Sequence, residues 1–88
     1  MKVSVEQIEF KDEFKSWAVW GCEASEFDWE YSDKESCYII SGEAEITFGE
    51  KKVTIKQGDF VVFPKGLSCR WKVLSPIKKH YAFGELVS

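Results

Sequence analysis

Cysteine is scarce in this 88-residue chain, and its spacing is not that of a disulfide framework or a structural zinc site. Cys22, Cys37 and Cys69 are odd in number, and no two of them have CxxC spacing. A scaffold of paired disulfides and a zinc knuckle are therefore excluded. Reduced thiols are the simplest interpretation, since disulfides are rare in reducing compartments. We expect a cytoplasmic location or another reducing intracellular compartment.

Long apolar runs and an excess of positive charge are also missing. No stretch approaches the roughly 20 apolar residues of a membrane-spanning helix, and residues 1–10 lack the apolar core of a secretory signal. No organelle-targeting segment is visible. The formal net charge is −3, whereas nucleic acids and anionic membranes favour basic surfaces. We therefore expect neither a nucleic acid nor a membrane as a partner.

Aromatic residues, in contrast, are plentiful. They make up 16% of the chain, and hydrophobic residues as a whole make up 44%. Each large ring removes much surface from water, so this composition can fill the core of a small barrel or sandwich. The chain length fits a single domain, which we place at residues 1–88.

Apolar and polar residues alternate with period two through most of the chain, which is the pattern of half-buried β-strands. The alternation is clearest at residues 27–31, 43–48, 52–57 and 67–73. Gly49 stands between the second and third of these segments, so we predict a hairpin there. Residues 79–83 are ambiguous, because either face of that strand could point inward. Helical periodicity is weak, with at most one short turn near residues 11–16, so the fold class is all-β, an antiparallel sandwich or barrel.

Two segments resemble the two motifs of the cupin superfamily, whose members are small jelly-roll β-barrels. Residues 27–47 contain the glutamate Glu35 and the closing glycine Gly42, and residues 58–71 contain the Gly-Asp pair and the Pro-Lys-Gly turn. The closer similarity is to the small single-domain Cupin_3 (DUF861) group, which has a Trp-x-Tyr sequence before the glutamate, here Trp29 to Tyr31. That group shares its domain with ureidoglycine aminohydrolase and is similar to the ethanolamine-utilisation cupin.

The resemblance implies a cupin-type jelly-roll barrel but does not reproduce the ligands of a cupin metal centre. Metal-binding cupins present two histidines and a glutamate from the first motif and one histidine from the second. The corresponding positions here hold Trp29, Tyr31, Glu35 and Cys69. We therefore predict no cofactor. A divalent metal would need Glu35, Cys69 and His80 to converge, because common protein sites use three or four ligands.

The family position of Glu35 implies an inward-facing carboxylate on the same side of its strand as Cys37. There it could act as a general acid or base, although the surrounding polar residues also fit an exposed acid. We expect the wall of a small-molecule pocket to comprise Trp29, Tyr31, Cys37, Cys69 and Trp71. Core packing is the alternative for these aromatic residues, since an inward face usually packs.

Cys69 and His80 are further catalytic candidates. A buried cysteine is often an inert small hydrophobic residue, whereas a thiol in a pocket could pair with a histidine as a nucleophile. His80, the only histidine, could be a surface residue or a proton shuttle facing the pocket. The sequence leaves both questions open.

Three functional hypotheses follow. The first is a small-molecule-binding cupin that resembles ureidoglycine aminohydrolase and uses Glu35 as acid or base. The second is a non-catalytic metabolite-binding or sensor domain with an aromatic cavity. The third is a metal-dependent enzyme that uses Glu35, Cys69 and His80. We also expect a homodimer in which residues 1–10 cover an exposed strand edge.

Overall fold

The chain folds almost entirely into β-strands, as its alternation predicts. The structure, a computed structural model, describes residues 2–84. Within that part the strands are β1 Ser4–Gln7, β2 Ala18–Cys22, β3 Ser25–Glu30, β4 Glu35–Phe48, β5 Lys51–Lys56, β6 Asp59–Phe63 and β7 Ser68–Phe83. A single 3-10 turn, Asp12–Ser16, lies in the segment where one short turn was predicted. No helix among residues 2–84 has the length and apolar character needed to cross a membrane.

Two long strands, β4 and β7, pair along most of their length and build both layers of the fold. The first half of β4 also pairs with β6, which gives one layer the strand order β1-β6-β4-β7-β2. The second half of β4 pairs with β5, and the first half of β7 pairs with β3, which gives the other layer. All these pairings are antiparallel, and the two layers form the jelly-roll barrel expected for a cupin.

β4 and β7 pass from one layer to the other at Gly42 and Pro76. Gly42 has a φ of +87°, and a Cβ at this position would lie 2.1 Å from the carbonyl oxygen of Pro76. Only glycine allows the two backbones to approach so closely. The β4–β7 register also shifts between Ile39 and Ala44. Because of this shift, odd-numbered residues of β4 face inward before the bend and even-numbered residues face inward after it.

The predicted hairpin is present. β4 and β5 pair from Phe48 and Lys51 outward, so the loop is Gly49 and Glu50. Gly49 has a φ of +58°, and no described non-glycine residue has a positive φ. Glycine at the first loop position matches the two-residue turns that suit the twist of paired strands.

The core lies between the two layers and consists of the inward residues of β4 to β7. In β7 the buried side chains include Cys69, Trp71 and Val73, with Leu67 just before the strand. These are the residues that the alternation placed inward. In β3 the agreement is only partial, because Trp29 is 49% exposed.

The N-terminal segment packs on its own chain. β1 pairs with β6, with Ser4 opposite Val62, so one edge of this strand is used within the chain, and a homodimer through residues 1–10 stays a prediction. Phe14 in the following turn is buried. Its ring stacks on Tyr38 at 5.1 Å and on Phe60 at 5.8 Å between centroids. This segment therefore covers the outer face of the layer that contains β6.

Candidate functional site

A cavity of about 170 Å³ lies between the layers at one end of the barrel. Its lining comprises seven aromatic and two charged side chains: Trp20, Phe27, Trp29, Tyr31, Glu35, Trp71, Lys79, Tyr81 and Phe83. We call it the aromatic cavity. Trp29 and Phe83 are each 49% exposed and form the rim, whereas Tyr31 and Trp71 are buried at the bottom.

Glu35 and Lys79 form an ion pair inside the aromatic cavity. The Nζ atom of Lys79 donates a hydrogen bond to Oε2 of Glu35 at 2.7 Å, and the two side chains are 7% and 3% exposed, respectively. Burying either charge alone would be very unfavourable, so each requires the other. Their proximity follows from the β4–β7 register, in which Lys79 lies opposite Ile39 on the inward face.

Three aromatic rings surround the Lys79 ammonium group. Its Nζ atom lies 4.7 Å from the ring centroid of Trp71, 5.0 Å from that of Trp20 and 5.8 Å from that of Tyr81. The negative face of an aromatic ring attracts a cation at these distances. The cavity therefore stabilises a positive charge at Nζ by means of both the carboxylate and the rings.

One oxygen of the Glu35 carboxylate is unsatisfied. Oε2 accepts the hydrogen bond from Lys79, but Oε1 is buried and has no hydrogen-bond partner among residues 2–84. A buried acceptor without a donor is unfavourable by about 1–3 kcal/mol. Because Glu35 lines the aromatic cavity, this oxygen could be satisfied by the nearby Tyr31 hydroxyl or by a bound molecule with an N–H or O–H group.

Backbone hydrogen bonds from the turn after β6 hold Tyr31 in place. Its N–H donates to the Leu67 carbonyl at 2.9 Å, and its carbonyl accepts from the N–H of Gly66 at 2.7 Å. Its ring stacks on Phe63 with centroids 4.8 Å apart. Burial, followed by the negative charge of Glu35, raises the pKa of the Tyr31 hydroxyl. The hydroxyl therefore stays protonated and can act as a hydrogen-bond donor.

The structure brings four of the predicted site residues together and leaves two others in the core. Glu35, Trp29, Tyr31 and Trp71 line the aromatic cavity, but Cys37 and Cys69 do not. Cys37 is instead fully buried in the core, and the Cys69 Sγ atom points to the carbonyl oxygen of Trp29 at 3.6 Å, at a separate shallow cleft that Trp29 also lines.

The chemistry of these two thiols follows from their burial. Desolvation raises the pKa of Cys37 to about 12 and that of Cys69 to about 11. The thiolate is the nucleophilic form of cysteine, so at neutral pH the geometry does not favour Cys69 as a nucleophile.

His80 lies on the face of β7 opposite the aromatic cavity. It pairs with Tyr38 across the β4–β7 ladder, and its ring centroid is 5.7 Å from that of Phe10 in the N-terminal segment. The convergence of Glu35, Cys69 and His80 that the metal-dependent hypothesis requires is therefore not present among residues 2–84. Residues 2–84 contain no group of three or more histidine, cysteine, aspartate or glutamate side chains placed to hold a metal ion.

Lys79 is the charged residue of the aromatic cavity that the sequence did not single out. The signal was present, because odd-numbered residues are buried on both sides of the exposed Ser75–Pro76 bend in β7, from Cys69 to Val73 and again at Ile77 and Lys79. Extending the alternation of residues 67–73 past Pro76 places Lys79 inward and His80 outward. A lysine is rarely buried without a partner, and here the partner is Glu35, whose carboxylate accepts a hydrogen bond from Lys79.

The family of the chain is shown by comparison with known proteins. A model of the EutQ-like cupin domain matches residues 9–81. The chain belongs to the EutQ-like cupin family. A DUF861 family protein from Thermotoga maritima, known from its crystal structure, shares 45% sequence identity with this EutQ-like cupin. The two structures superpose with a TM-score of 0.86, and the match covers 93% of this chain and 99% of that one.

More distant structures share the fold. The EutQ protein of Clostridium difficile is 23% identical with a TM-score of 0.72, and the match covers 93% of this EutQ-like cupin and 67% of that chain. A DUF861 family protein from Pseudomonas syringae is 24% identical with a TM-score of 0.68, over 74% of this chain and 28% of that one. The comparison with curated proteins gave no match. Because one fold can support many reactions, function has to be argued from the site.

Proposed function

We propose that this EutQ-like cupin binds a small, uncharged metabolite in the aromatic cavity, with Glu35 and Lys79 as its polar anchor. The observation that supports this proposal is the buried ion pair, which lines a cavity whose other walls are aromatic. An apolar pocket with a few convergent polar groups is the usual form of a small-molecule site.

The size of the cavity limits the ligand to roughly one ring or a chain of similar volume. The volume is about 170 Å³, and an apolar cavity of about 150 Å³ accommodates benzene. Sites for drug-sized molecules begin at about 300 Å³. A planar molecule also fits the walls best, since aromatic rings favour stacked or edge-to-face contacts with other flat groups.

The charge of the site favours a neutral ligand with both a donor and an acceptor. Glu35 and Lys79 neutralise each other, so a charged ligand would bring an unpaired charge into a desolvated space. The Lys79 ammonium has three N–H donors and gives one to Glu35. A primary amide or ureide could accept a hydrogen bond from Lys79 and donate one to the unsatisfied Oε1 of Glu35.

A second candidate is an enzyme in which Glu35 acts as a general acid or base on such a ligand. The 2.7 Å hydrogen bond supports it, because a proton can pass between Lys79 and Glu35 at that distance. The enzymes of the resembled family generally use a metal, however, and no group of three or more metal-ligating side chains lies together within residues 2–84. Binding is therefore the function that the geometry supports best.

Three ligands of matched shape and different charge test the proposal by isothermal titration calorimetry at neutral pH. Benzamide is neutral, benzoate is negative and benzylamine is positive. We expect benzamide to bind about tenfold more tightly than either charged ligand, since one lost or unsatisfied hydrogen bond corresponds to about 1.4 kcal/mol. The proposal fails if a charged ligand binds most tightly.

A matched pair of substitutions locates the binding site. Glu35→Gln should weaken benzamide binding by about tenfold, whereas Glu45→Gln should leave it unchanged because Glu45 lies outside the cavity on the same strand. Equal affinities of the two variants would contradict the anchor role of Glu35. Incubation with small ureides, followed by mass spectrometry of products, tests the enzymatic candidate: turnover that Glu35→Gln retains would exclude Glu35 as the acid or base.

A further inference from the structure

We propose that Lys79 captures a small aldehyde or ketone as a reversible imine, with Glu35 as the group that moves the protons. This inference rests on the proposed function, because it needs the aromatic cavity to admit a small neutral molecule. An aldehyde or ketone satisfies that condition and brings its carbonyl group to the two charged side chains. The assignment is to Lys79 alone and not to the exposed lysines.

Burial distinguishes Lys79 from the other lysines that the structure describes. Lys79 is 6% exposed and is the only lysine among the buried residues of positions 2–84. Stability alone gives little reason for a charged pair at this place, since apolar residues of similar volume often replace a buried ion pair without loss. Lysines that form Schiff bases are commonly desolvated in an apolar pocket, as Lys79 is in the aromatic cavity.

Glu35 is placed to give Lys79 the neutral amine that the reaction needs. The Nζ and Oε2 atoms are 2.7 Å apart, so one proton can move from the ammonium to the carboxylate. That transfer removes both charges and gives up the ion pair and the ring contacts that favour the ammonium. It leaves a lone pair on Nζ and a carboxylic acid next to it.

The covalent steps then balance without a redox partner. The Nζ lone pair forms a C–N bond with the carbonyl carbon, the C=O π electrons move to oxygen, and Glu35 protonates that oxygen to give a carbinolamine. Glu35 next takes a proton from the nitrogen and donates it to the departing hydroxyl. The C–O bond breaks, one water leaves, and the C=N bond forms. The ammonium and the carbonyl compound thus give an iminium and water, and Glu35 ends as a carboxylate.

The surrounding rings stabilise the product as well as the starting state. Trp71, Trp20 and Tyr81 lie 4.7–5.8 Å from Nζ, and their faces attract the iminium cation as they attract the ammonium. The net charge at the anchor is zero before and after the reaction. The aromatic walls also restrict access of the water that would hydrolyse the imine.

Reductive trapping tests the inference on the intact chain. The protein is incubated with benzaldehyde and sodium cyanoborohydride at neutral pH, and the benzylated lysines are identified by peptide mass spectrometry. Lys78 is the matched control, because it neighbours Lys79 on β7 and is exposed. We expect Lys79 to be labelled about tenfold faster than Lys78, because the cavity holds the aldehyde next to Nζ. Lys79→Arg should remove this fast labelling and Lys78→Arg should preserve it.

Benzamide provides a test that does not depend on a folded variant. It should occupy the aromatic cavity and slow the labelling of Lys79 in the unaltered chain without changing that of Lys78. Labelling spread evenly over the exposed lysines, or no labelling of Lys79, overturns the imine proposal. If benzamide still binds in that case, the binding function stands and only the covalent step is wrong. If benzamide does not bind either, both proposals fall.

Discussion

At the scale of single residues, the site depends on two buried charges, neither of which the desolvated interior would accommodate alone. The aromatic cavity shields the Glu35–Lys79 pair on most sides. Such a pair contributes little net stability, yet removing one partner leaves a buried charge uncompensated. Its energetics should therefore differ from those of a surface pair such as Lys52 and Glu45, whose atoms are 3.9 Å apart and partly exposed.

Replacing Lys79 with methionine should lower the free energy of unfolding by about 3–5 kcal/mol, because the Glu35 carboxylate loses its cation. The double variant Glu35→Gln/Lys79→Met should be more stable than Lys79→Met alone. Lys78→Met, at the exposed neighbouring position, should change stability by less than about 0.5 kcal/mol. Urea unfolding measures all three. Equal effects at positions 78 and 79 would show that the pair is not buried as described.

The three cysteines should separate into one reactive and two protected thiols. Burial raises the pKa of Cys37 and of Cys69, whereas Cys22 is only half-buried. At about pH 8 an aromatic disulfide reagent should modify one thiol per native chain rapidly and all three in guanidinium chloride. Rapid modification of two or three thiols in the native chain would contradict this account.

Because of the raised thiol pKa values, the free energy of unfolding should depend on pH in the alkaline range. Thiols ionise in the unfolded chain from about pH 9, but Cys37 stays protonated in the folded chain until about pH 12. The protonated Cys37 thiol therefore contributes fully to the free energy of unfolding below about pH 9. That contribution is lost as the pH rises towards about 12, at about 1.4 kcal/mol per pH unit for one thiol. Urea unfolding at several pH values should show a shallower decline above pH 9 in Cys37→Ala than in the unaltered chain. Equal declines in the free energy of unfolding of Cys37→Ala and of the unaltered chain would contradict a raised pKa of the buried Cys37 thiol.

At the scale of elements, the alternation predicted β7 better than β4. Cys69, Trp71 and Val73 were placed inward correctly, and the same parity continues to Lys79 and beyond. In β4 the parity changes between Ile39 and Ala44 because the strand is irregular at the bend. No alternation in the sequence reveals such a shift in advance, since it depends on how two backbones cross.

The cavity residues that stand at family motif positions could be predicted from the sequence. Those that reach the cavity through the pairing of distant strands could not be predicted as well. Trp29, Tyr31 and Glu35 stand at motif positions, and all three line the cavity. Lys79 reaches Glu35 only through the β4–β7 register, which joins residues 44 positions apart. His80 was a chemically attractive candidate, but the same register places it on the outer face with Tyr38.

Two glycine substitutions test the bend and the hairpin. Gly42→Ala should destabilise the chain by more than about 2 kcal/mol, because the positive φ is unfavourable for alanine and the added Cβ meets the Pro76 carbonyl. Gly49→Ala should have a smaller effect of roughly 1–2 kcal/mol, since it has a positive φ but no atom within 4 Å of the added Cβ. Urea unfolding compares them. Equal losses would contradict the close approach at Gly42.

At the scale of the whole molecule, the two aromatic-rich regions have different surroundings. The N-terminal segment covers the outer face with Phe10 and Phe14, which contact Tyr38. The aromatic cavity, in contrast, opens at a rim formed by Trp29 and Phe83. One cluster is thus packed by the chain itself, and the other leaves room for a ligand.

The four tryptophans of the chain report on both regions at once. Trp20, Trp29 and Trp71 line the aromatic cavity, whereas Trp17 packs against Phe14 on the outer face, with ring centroids 4.8 Å apart. The most direct test is a titration of ¹⁵N-labelled protein with benzamide, followed by the indole N–H signals and assigned with single Trp→Phe variants. We predict that the three cavity signals shift together and that the Trp17 signal stays in place. Cavity signals that do not move, or a Trp17 signal that moves as far as they do, would contradict a ligand site in the aromatic cavity.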